Sequence, residues 1–312
     1  MGARGLRKTA ARVNDTRHVV PPDQDGARLD KALSALVPEL SRARAQRLIA
    51  ARGVRVNGRP ARKGTALAAG DVIELAEAPG PADFDALPEP DAPLDVLHED
   101  AACVVVAKPA GQPIHPLRPD EGGTLANALV GRFPEMAGVG YRRREPGLLH
   151  RLDTGTSGAV LAARSAEAFQ ALRAALRAEA IDKRYLAFVD GTPPLGPIEL
   201  AIAHRGKAKM VAVAWDEADA VGARPAVTEV LAVRPAKSGS EVELRARSAR
   251  RHQVRVHLAA IGHPLLGDRL YDGPDVPGLA RHALHASRLI FDGPASPVDV
   301  EAPLPPDLDA LR

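Results

Sequence analysis

Asp153 is the residue whose setting first indicates chemistry, and it lies in residues 150–158, HRLDTGTSG. The small and hydroxyl residues after it can form a tight turn and supply hydrogen-bond donors to a carboxylate. Residues 159–163, AVLAA, predict a buried strand directly behind this turn. A carboxylate beside a buried strand needs a partner, because an unpaired buried charge is costly. Asp153 therefore either caps its own turn or is a functional acid.

Two further segments carry candidate groups. Residues 183–189, KRYLAFV, alternate as a strand that places Lys183 and Tyr185 on one face. Residues 250–258, RRHQVRVHL, would place Arg251 and Arg255 one helical turn apart, where like charges repel. Either an anion lies between the two arginines, a phosphate or Asp153 itself, or this segment is a solvated basic helix.

Composition excludes several classes of site. The chain has one cysteine, Cys103, in an apolar run, so an internal disulfide is impossible and a buried core position is predicted. The ten histidines lack metal-ligand spacing, and no nucleotide-binding glycine loop or zinc-protease motif occurs. We therefore predict no metal and no cofactor. No apolar run is long enough to span a membrane and no secretory signal is recognisable, which predicts a cytoplasmic protein.

The charge is distributed unevenly along the 312 residues. Residues 1–78 hold 15 Lys or Arg and 8 Asp or Glu, a net charge of +7, so that the rest carries −4 of the total +3. A basic front section predicts a module that binds a polyanion, above all nucleic acid. The chain is accordingly divided into a disordered basic tail, an RNA-binding module, a linker and a larger domain: residues 1–17, 18–78, 79–93 and 94–312.

The linker, residues 79–93, contains five prolines and four acidic residues, which predicts a stiff segment that does not pack. In the module, hydrophobic periodicity and a turn signal predict two helices and two strands: residues 28–37, 42–52, 54–56 and 71–75. Ser41 can cap the second helix. Four arginines of that helix, with no acid among them, predict a phosphate-binding surface: Arg42, Arg44, Arg47 and Arg52. Arg42, Arg44 and Arg47 are its predicted substrate contacts.

The larger domain is predicted to be rich in strands, with helices at residues 124–130, 165–178 and 252–260. The predicted strands are residues 104–106, 159–163, 184–189, 198–203, 210–214, 226–233, 241–247 and 287–291. Many consecutive strands with few helices between them favour an α+β fold on a mixed, mainly antiparallel sheet with flanking helices.

The front module resembles an S4 RNA-binding domain. The resemblance rests on RLDK at residues 28–31, SR at 41–42, LI at 48–49, VRVNG at 54–58 and GDVI at 70–73. One departure is Arg52, which stands where the family has a glycine before the Val-x-Val strand.

The larger domain resembles the RluA-type RNA pseudouridine synthases. The motifs occur in the family's order: AKPAG at residues 107–111, HRLDTGTSG at 150–158, KRY at 183–185, HQVRVH at 252–257, GHPLLGD at 262–268 and LHA at 284–286. Ala249-Arg250-Arg251 departs from the family's Gly-Arg-Thr, and Asp292-Gly293 replaces a His-Pro.

The resemblance implies an isomerase that converts uridine in RNA to pseudouridine. Asp153 would be the catalytic carboxylate, Arg255 its basic partner and Tyr185 the ring against the target base. The predicted substrate-binding residues are Arg151, Thr156, Leu284 and Arg250, together with the three arginines of the front module. Because the family's S4-bearing members point to large-subunit ribosomal RNA, the resemblance implies this RNA as the partner. We further expect the enzyme to be a monomer and to bind no metal.

Three alternatives stay open. The chain could be a tRNA pseudouridine synthase, or a non-catalytic S4-type ribosome-associated RNA-binding protein. Asp153-Thr154-Gly155 is also similar to the loop of aspartic proteases, which need two carboxylates that share a proton. The sequence contains no second copy of that loop.

Overall fold

A computed structural model of the chain describes residues 16–312, apart from 38–39, 41, 63, 77–82, 207 and 249. The chain divides into two compact units, Met1–Phe84 and Asp85–Arg312, called here the N-terminal and C-terminal units. The predicted basic tail falls largely on residues 1–15, which lie outside the described residues. Arg17 already belongs to a strand.

The described part of the N-terminal unit contains two helices and a four-stranded antiparallel sheet in the order β1-β4-β2-β3. Its elements are β1 (Arg17–Val19), α1 (Leu29–Leu36), α2 (Arg42–Ala50), β2 (Val54–Val56), β3 (Arg59–Pro60) and β4 (Val72–Leu75). Both predicted helices and both predicted strands are confirmed, whereas the short β1 and β3 were not predicted. The expected cap at Ser41 lies outside the described residues.

A buried carboxylate links the two helices of the N-terminal unit. Asp30, only 3% exposed, accepts hydrogen bonds from Gln46 at 2.7 Å and from Arg42 Nε at 2.8 Å. The bond from Gln46, and then that from Arg42, hold the pKa of Asp30 well below its ordinary value. Arg42 thus pairs with an acid of its own unit, while 58% of its side chain stays exposed.

Within the described residues, the C-terminal unit is built on a ten-stranded sheet. Its strands are β5 (Asp95–Glu99), β6 (Cys103–Lys108), β7 (Ser157–Ala163), β8 (Asp182–Val189), β9 (Gly196–Arg205), β10 (Lys209–Val213), β11 (Arg224–Pro235), β12 (Ser240–Arg245), β13 (Leu284–Asp292) and β14 (Pro297–Glu301). The order is β10-β9-β11-β12-β8-β13-β7-β6-β5, with β14 paired to β13. The pair β13–β7 is parallel, and the other described pairs are antiparallel. The predicted α+β fold on a mixed sheet is confirmed.

Helices cover both faces of this sheet: α3 (Leu125–Arg132), α4 (Ala166–Arg177), α5 (Ala218–Val221), α6 (Gln253–Ala260) and α7 (Pro306–Asp309). Alternate residues of β6 and β7 face α3 on one side and α4 on the other, so both strands are almost wholly apolar and buried. Thr124 caps α3 and Ser165 caps α4, as their residue types predict. Cys103 is buried and free, as expected. None of the described helices is long and apolar enough to cross a membrane.

Part of the predicted linker packs on the C-terminal unit. Ala86 is buried in the cluster of apolar side chains beside α3. The Leu87 carbonyl accepts a hydrogen bond from Asn127 Nδ2 at 2.8 Å, and the Glu89 carboxylate accepts one from Gly123 N at 3.0 Å. The expectation that this segment stays unpacked is wrong for these residues, because the start of α3 supplies donors for an extended, proline-rich backbone.

Candidate active site

A cavity of about 570 Å³ lies in the C-terminal unit and brings together groups from distant parts of the sequence. Asp153, Tyr185 and Arg255 all line it. The other predicted substrate contacts of this unit line it too: Arg151, Thr156, Leu284 and Arg250.

Asp153 sits on a turn between the buried Leu152 and β7. The Asp153 carbonyl accepts a hydrogen bond from Thr156 N at 3.0 Å, which closes the predicted turn. The following carbonyl, that of Thr154, accepts bonds from Gly111 N at 2.7 Å and from Lys108 Nζ at 3.3 Å. Lys108 is 1% exposed, and its ammonium group also donates to two carbonyls of its own loop. A buried cation therefore anchors the turn to the end of β6, and burial lowers the pKa of Lys108 to about 8.

The carboxylate of Asp153 is held by an arginine that lies 102 residues later in the chain. Arg255 Nη1 donates to Asp153 Oδ2 at 2.8 Å, so the anion beside Arg255 is Asp153, one of the two predicted possibilities. The same guanidinium donates to both carboxylate oxygens of Asp268, from Nε at 2.7 Å and from Nη2 at 2.8 Å. This two-bond contact fixes the plane of the guanidinium and directs its remaining nitrogen at Asp153.

The balance of charges keeps Asp153 ionised. Burial alone would raise its pKa, but the neighbouring His252 and the hydrogen bond and charge of Arg255 outweigh burial, and the pKa lies below its ordinary 3.8. Burial by itself would lower the pKa of Arg255, but the hydrogen bonds and charges of Asp268 and Asp153 raise this pKa overall. The site thus presents a permanently charged carboxylate, 19% exposed, at the wall of the cavity.

A hydrogen-bonded chain behind Asp153 was not predicted. Met210 N donates to the Tyr271 hydroxyl oxygen at 3.0 Å, and this hydroxyl lies 2.9 Å from His252 Nδ1. His252 Nε2 lies 3.7 Å from Asp153 Oδ1. His252 has a left-handed backbone, with φ of 56°, and its place in the His-Gln motif is the sequence signal that could have singled it out.

Tyr185 forms another wall of the cavity, half-buried between two clusters of apolar side chains. Burial raises the pKa of Tyr185, and the charge of Asp153 raises it further. The side chain is therefore a neutral phenol at neutral pH. Leu284, on the adjacent β13, is 4% exposed and lies beside Ala187 of β8 in the sheet register.

The hydroxyl groups after Asp153 do not donate to its carboxylate, in contrast to the sequence expectation. The Thr156 hydroxyl lies 2.7 Å from His282 Nε2, and the Ser157 hydroxyl lies 2.9 Å from His285 Nδ1. These contacts join the turn to the start of β13 and leave the carboxylate to Arg255.

Arg251 and Arg255 do not lie on one helix face as the sequence predicts, because α6 begins at Gln253. Arg251 precedes α6, and its Nη2 donates to the Ala208 carbonyl at 3.2 Å. The turn that carries His252 places Arg251 outside the helix. Arg151 and Arg250 are both exposed where they line the cavity.

Comparison with known proteins decides the family. The model of the RNA pseudouridylate synthase family matches residues 102–260, and the S4 domain model matches residues 27–73. The ribosomal large subunit pseudouridine synthase D of Neisseria meningitidis serogroup A is 35% identical over 306 residues, 93% of this chain and 79% of that protein. The chain belongs to the RNA pseudouridylate synthase family. The protein of the same description from Zymomonas mobilis is 37% identical, over 92% of this chain and 93% of its own length.

A solved structure agrees with this pseudouridine synthase assignment. Human RNA Pseudouridylate Synthase Domain Containing 1 superposes with a TM-score of 0.54 at 28% identity, over 70% of this chain and 88% of that one. Both sequence resemblances are thus confirmed, and the protease interpretation of the Asp-Thr-Gly loop is wrong.

The predicted phosphate-binding arginines of this pseudouridine synthase lie in its other unit. Arg44 and Arg47 belong to α2 with Arg42, and Arg47 is exposed.

One group of side chains in the described residues has the composition of a metal site but not its chemistry. His98, Asp100 and Cys103 bring their ligand atoms within 4.8 Å of one another. Asp100 already accepts hydrogen bonds from the backbone N–H groups of Ala102 and Cys103, both at 2.7 Å, and from Ser296 at 3.2 Å. Burial, and then the charge of Asp100, raise the pKa of the Cys103 thiol to about 12, so it stays protonated and does not suit a metal ion.

Proposed function

We propose that this pseudouridine synthase converts uridines of large-subunit ribosomal RNA to pseudouridine, with Asp153 as its catalytic carboxylate. The observation that supports this role is the 2.8 Å ion pair between Asp153 and Arg255, at the wall of a cavity that Tyr185 also lines. The ribosomal target is supported by the relatives from Neisseria and Zymomonas, whose descriptions name the ribosomal large subunit.

The reaction is an isomerisation within one nucleotide. The bond between ribose C1′ and uracil N1 breaks, the base turns, and C1′ bonds to C5. The proton on C5 leaves and N1 gains one, so atoms and electrons balance without a co-reactant. The target base must leave its stack to reach Asp153, as in other enzymes that act on a base.

Asp153 stabilises the electron-poor ribose that this bond cleavage creates. A charged carboxylate can do this as a nucleophile at C1′ or as a base toward the sugar. Arg255 keeps the carboxylate ionised and oriented, and its contact with Asp268 holds it ready before the substrate arrives. No reorganisation of charge is then needed when the reaction begins.

Tyr185 contacts the target base as a neutral ring. Because burial and Asp153 raise its pKa, Tyr185 does not remove the C5 proton as a phenolate. Leu284 and Thr156 complete the pocket for the base, while Arg151 and Arg250 bind the phosphates that flank it. The arginines of α2 bind RNA phosphates through the N-terminal unit.

The decisive experiment measures tritium release from transcripts labelled at C5 of uridine. We expect the wild-type enzyme to release tritium from large-subunit ribosomal RNA and Asp153→Asn to release none. Asp299→Asn, on the far strand β14, is the matched control and should behave as wild type. Primer extension after carbodiimide treatment then locates the modified uridines.

Each other outcome contradicts a stated part of the proposal. Release from tRNA alone would support the tRNA enzyme, and RNA binding without any release would support the non-catalytic alternative. Release by Asp153→Asn at the wild-type rate would remove Asp153 from the reaction.

We also propose that the enzyme acts as a cytoplasmic monomer without metal or cofactor. Asp153, Tyr185 and Arg255 line one cavity of the C-terminal unit, and the isomerisation transfers no electrons overall. Activity should persist in EDTA, and the active species should sediment as a single chain. Loss of activity in EDTA, or activity confined to a dimer, would contradict this.

A further inference from the structure

The cavity continues beyond the reacting groups to a region that none of the family motifs covers. There it is lined by Tyr141 and by Arg173 and Arg177 of α4. The structure gives neither arginine a carboxylate partner among the described residues, whereas Arg164 and Arg245 of the same unit are each held by two acids.

Arg173 and Arg177 are four residues apart on α4. Like charges at this spacing repel, and no ion pair among the described residues offsets the repulsion. Arg173 Nε is also buried without a hydrogen-bond partner. Two unpaired guanidinium groups at the edge of a cavity form a binding site for an anion such as a phosphodiester.

Tyr141 is held in place beside these arginines. Its ring meets the edge of Phe169 at a centroid distance of 4.9 Å and an angle of 80°, and the Arg173 guanidinium carbon lies 5.3 Å from its centroid. Phe169 is a core residue, 3% exposed, and gives the ring a rigid support. Tyr141 is nevertheless 50% exposed, in a chain with only 3% aromatic residues. A fixed and exposed ring next to arginines that form no ion pair among the described residues has the composition of a platform for a nucleic-acid base.

We propose that Tyr141, Arg173 and Arg177 form a subsite for a nucleotide that adjoins the target uridine. The base of that nucleotide stacks on Tyr141, and its phosphate lies against the two arginines. This inference rests on the proposed function, because it assumes that the target nucleotide reaches Asp153 in the same cavity. Stacking accepts any base, so the subsite holds the strand open beside the flipped uridine without reading its sequence.

The test is a double-mutant cycle that combines a substitution in the protein with removal of a base from the RNA. The probe is the ribosomal RNA fragment that contains the mapped uridine, compared with fragments that carry an abasic nucleotide on either side of it. Wild-type enzyme should bind one abasic fragment roughly 5- to 150-fold more weakly than the intact RNA. Tyr141→Ala should bind the intact RNA and this abasic fragment equally, with the affinity that wild type has for the abasic fragment. Tyr141→Phe should behave as wild type. Trp215→Ala removes another exposed aromatic outside the cavity and should keep the full discrimination.

The arginines are tested by salt dependence. Arg177→Ala should lower the slope of log Kd against log salt concentration by about one. Arg224→Ala, an exposed arginine of β11 away from the cavity, should lose no affinity for the same fragment. An unchanged slope in Arg177→Ala would remove this residue from the subsite.

The subsite and the proposed function fail in different ways. If Tyr141→Ala still binds the abasic fragment more weakly than the intact RNA by the wild-type factor, the effects of the two changes are independent. The subsite is then refuted, while the conversion of uridine stands. If no pseudouridine maps to any RNA, the proposed function fails, and equal affinity of wild type and Tyr141→Ala for oligouridylate would then overturn the subsite as well. Tyr141→Leu keeps an apolar contact with Phe169 and replaces Tyr141→Ala if the smaller side chain lowers the melting temperature.

Discussion

Replacement of Arg255 by methionine separates the structural and the catalytic consequences of the charge cluster. The change keeps an unbranched side chain of similar length but removes the cation. The Arg255 side chain is 8% exposed, and it is bonded to Asp268, 1% exposed, and to Asp153, 19% exposed. Arg255→Met therefore leaves two carboxylates without their counter-charge, one of them fully buried.

The expected cost follows from this burial. Removal of one partner from a buried ion pair destabilises a protein by about 3–5 kcal/mol. Asp268 keeps one backbone donor, Leu270 N at 3.2 Å, which does not neutralise its charge. By contrast, Asp153→Asn leaves Arg255 with both bonds to Asp268, and it should cost only about 1–2 kcal/mol. Arg255→Met should therefore be less stable than Asp153→Asn by about 1–4 kcal/mol in the free energy of unfolding, although both lose activity.

Urea unfolding followed by tryptophan fluorescence measures this difference. Trp215 is the chain's single tryptophan and lies in the C-terminal unit, so its emission reports on the unit that contains the site. The measurement belongs at pH 7.5. The lowered pKa of Asp153 means that its contribution to stability is present above the unfolded value of about 3.9 and is lost only as the pH falls through the folded value.

The activity of Arg255→Met should fall by about 100- to 1000-fold, the usual effect of one lost preorganised charge. Equal stability of Arg255→Met and Asp153→Asn would refute the reasoning, because it would show that Asp268 does not depend on Arg255. Wild-type rates in Arg255→Met would show that Asp153 needs no oriented partner.

Three other perturbations test separate parts of the structure. Gly158→Ala should lower the melting temperature by several degrees or prevent folding, because Gly158 has φ of 117° and a Cβ there would collide with the Ala286 backbone. Stability should fall as the pH drops from 6.5 toward 4. His257 and His282 are buried in the folded protein, where their pKa values are lowered to about 4. Between pH 6.5 and 4 the unfolded chain therefore binds more protons than the folded chain, and the free energy of unfolding falls by about 1.4 kcal/mol per pH unit for each residue. Urea titrations at pH 7.5 and 5 should show this loss. In His282→Gln the free energy of unfolding should depend on pH with a slope smaller by one proton. An unchanged slope would contradict a lowered pKa for His282. Arg47→Ala should lower the salt slope of RNA binding by about one without a change in melting temperature, and an unchanged slope would remove Arg47 from the RNA surface.

Much of the fold follows from local patterns. Alternation and β-branched residues predict most strands of the large sheet, and residue types at the helix starts predict the caps of α3 and α4. The elements missed were short or only partly buried, such as β5, whose residues are exposed or intermediate. Packing of Ala86 and Glu89 was missed because it depends on the start of α3, about 35 residues later. No local pattern in a proline-rich segment records such a distant donor.

The candidate site was predictable in its residue types but not in its connections. The motifs single out Asp153, Tyr185 and Arg255, and the cavity brings them together. Neither the clamp of Asp268 on Arg255 nor the contact between Tyr271 and His252 was predicted. Both depend on a side chain that returns to the site from a separate loop.

The sequence by itself determined which chemical groups this protein has and in what order they occur. A carboxylate on a turn, a tyrosine on a strand and an arginine at the start of a helix are properties of residue type and spacing. Only the tertiary structure decided the ionised state of Asp153 and the neutral state of Tyr185. The physical reason is that protonation depends on burial and on distances of a few ångströms between charges, which arise only when segments far apart in sequence pack together.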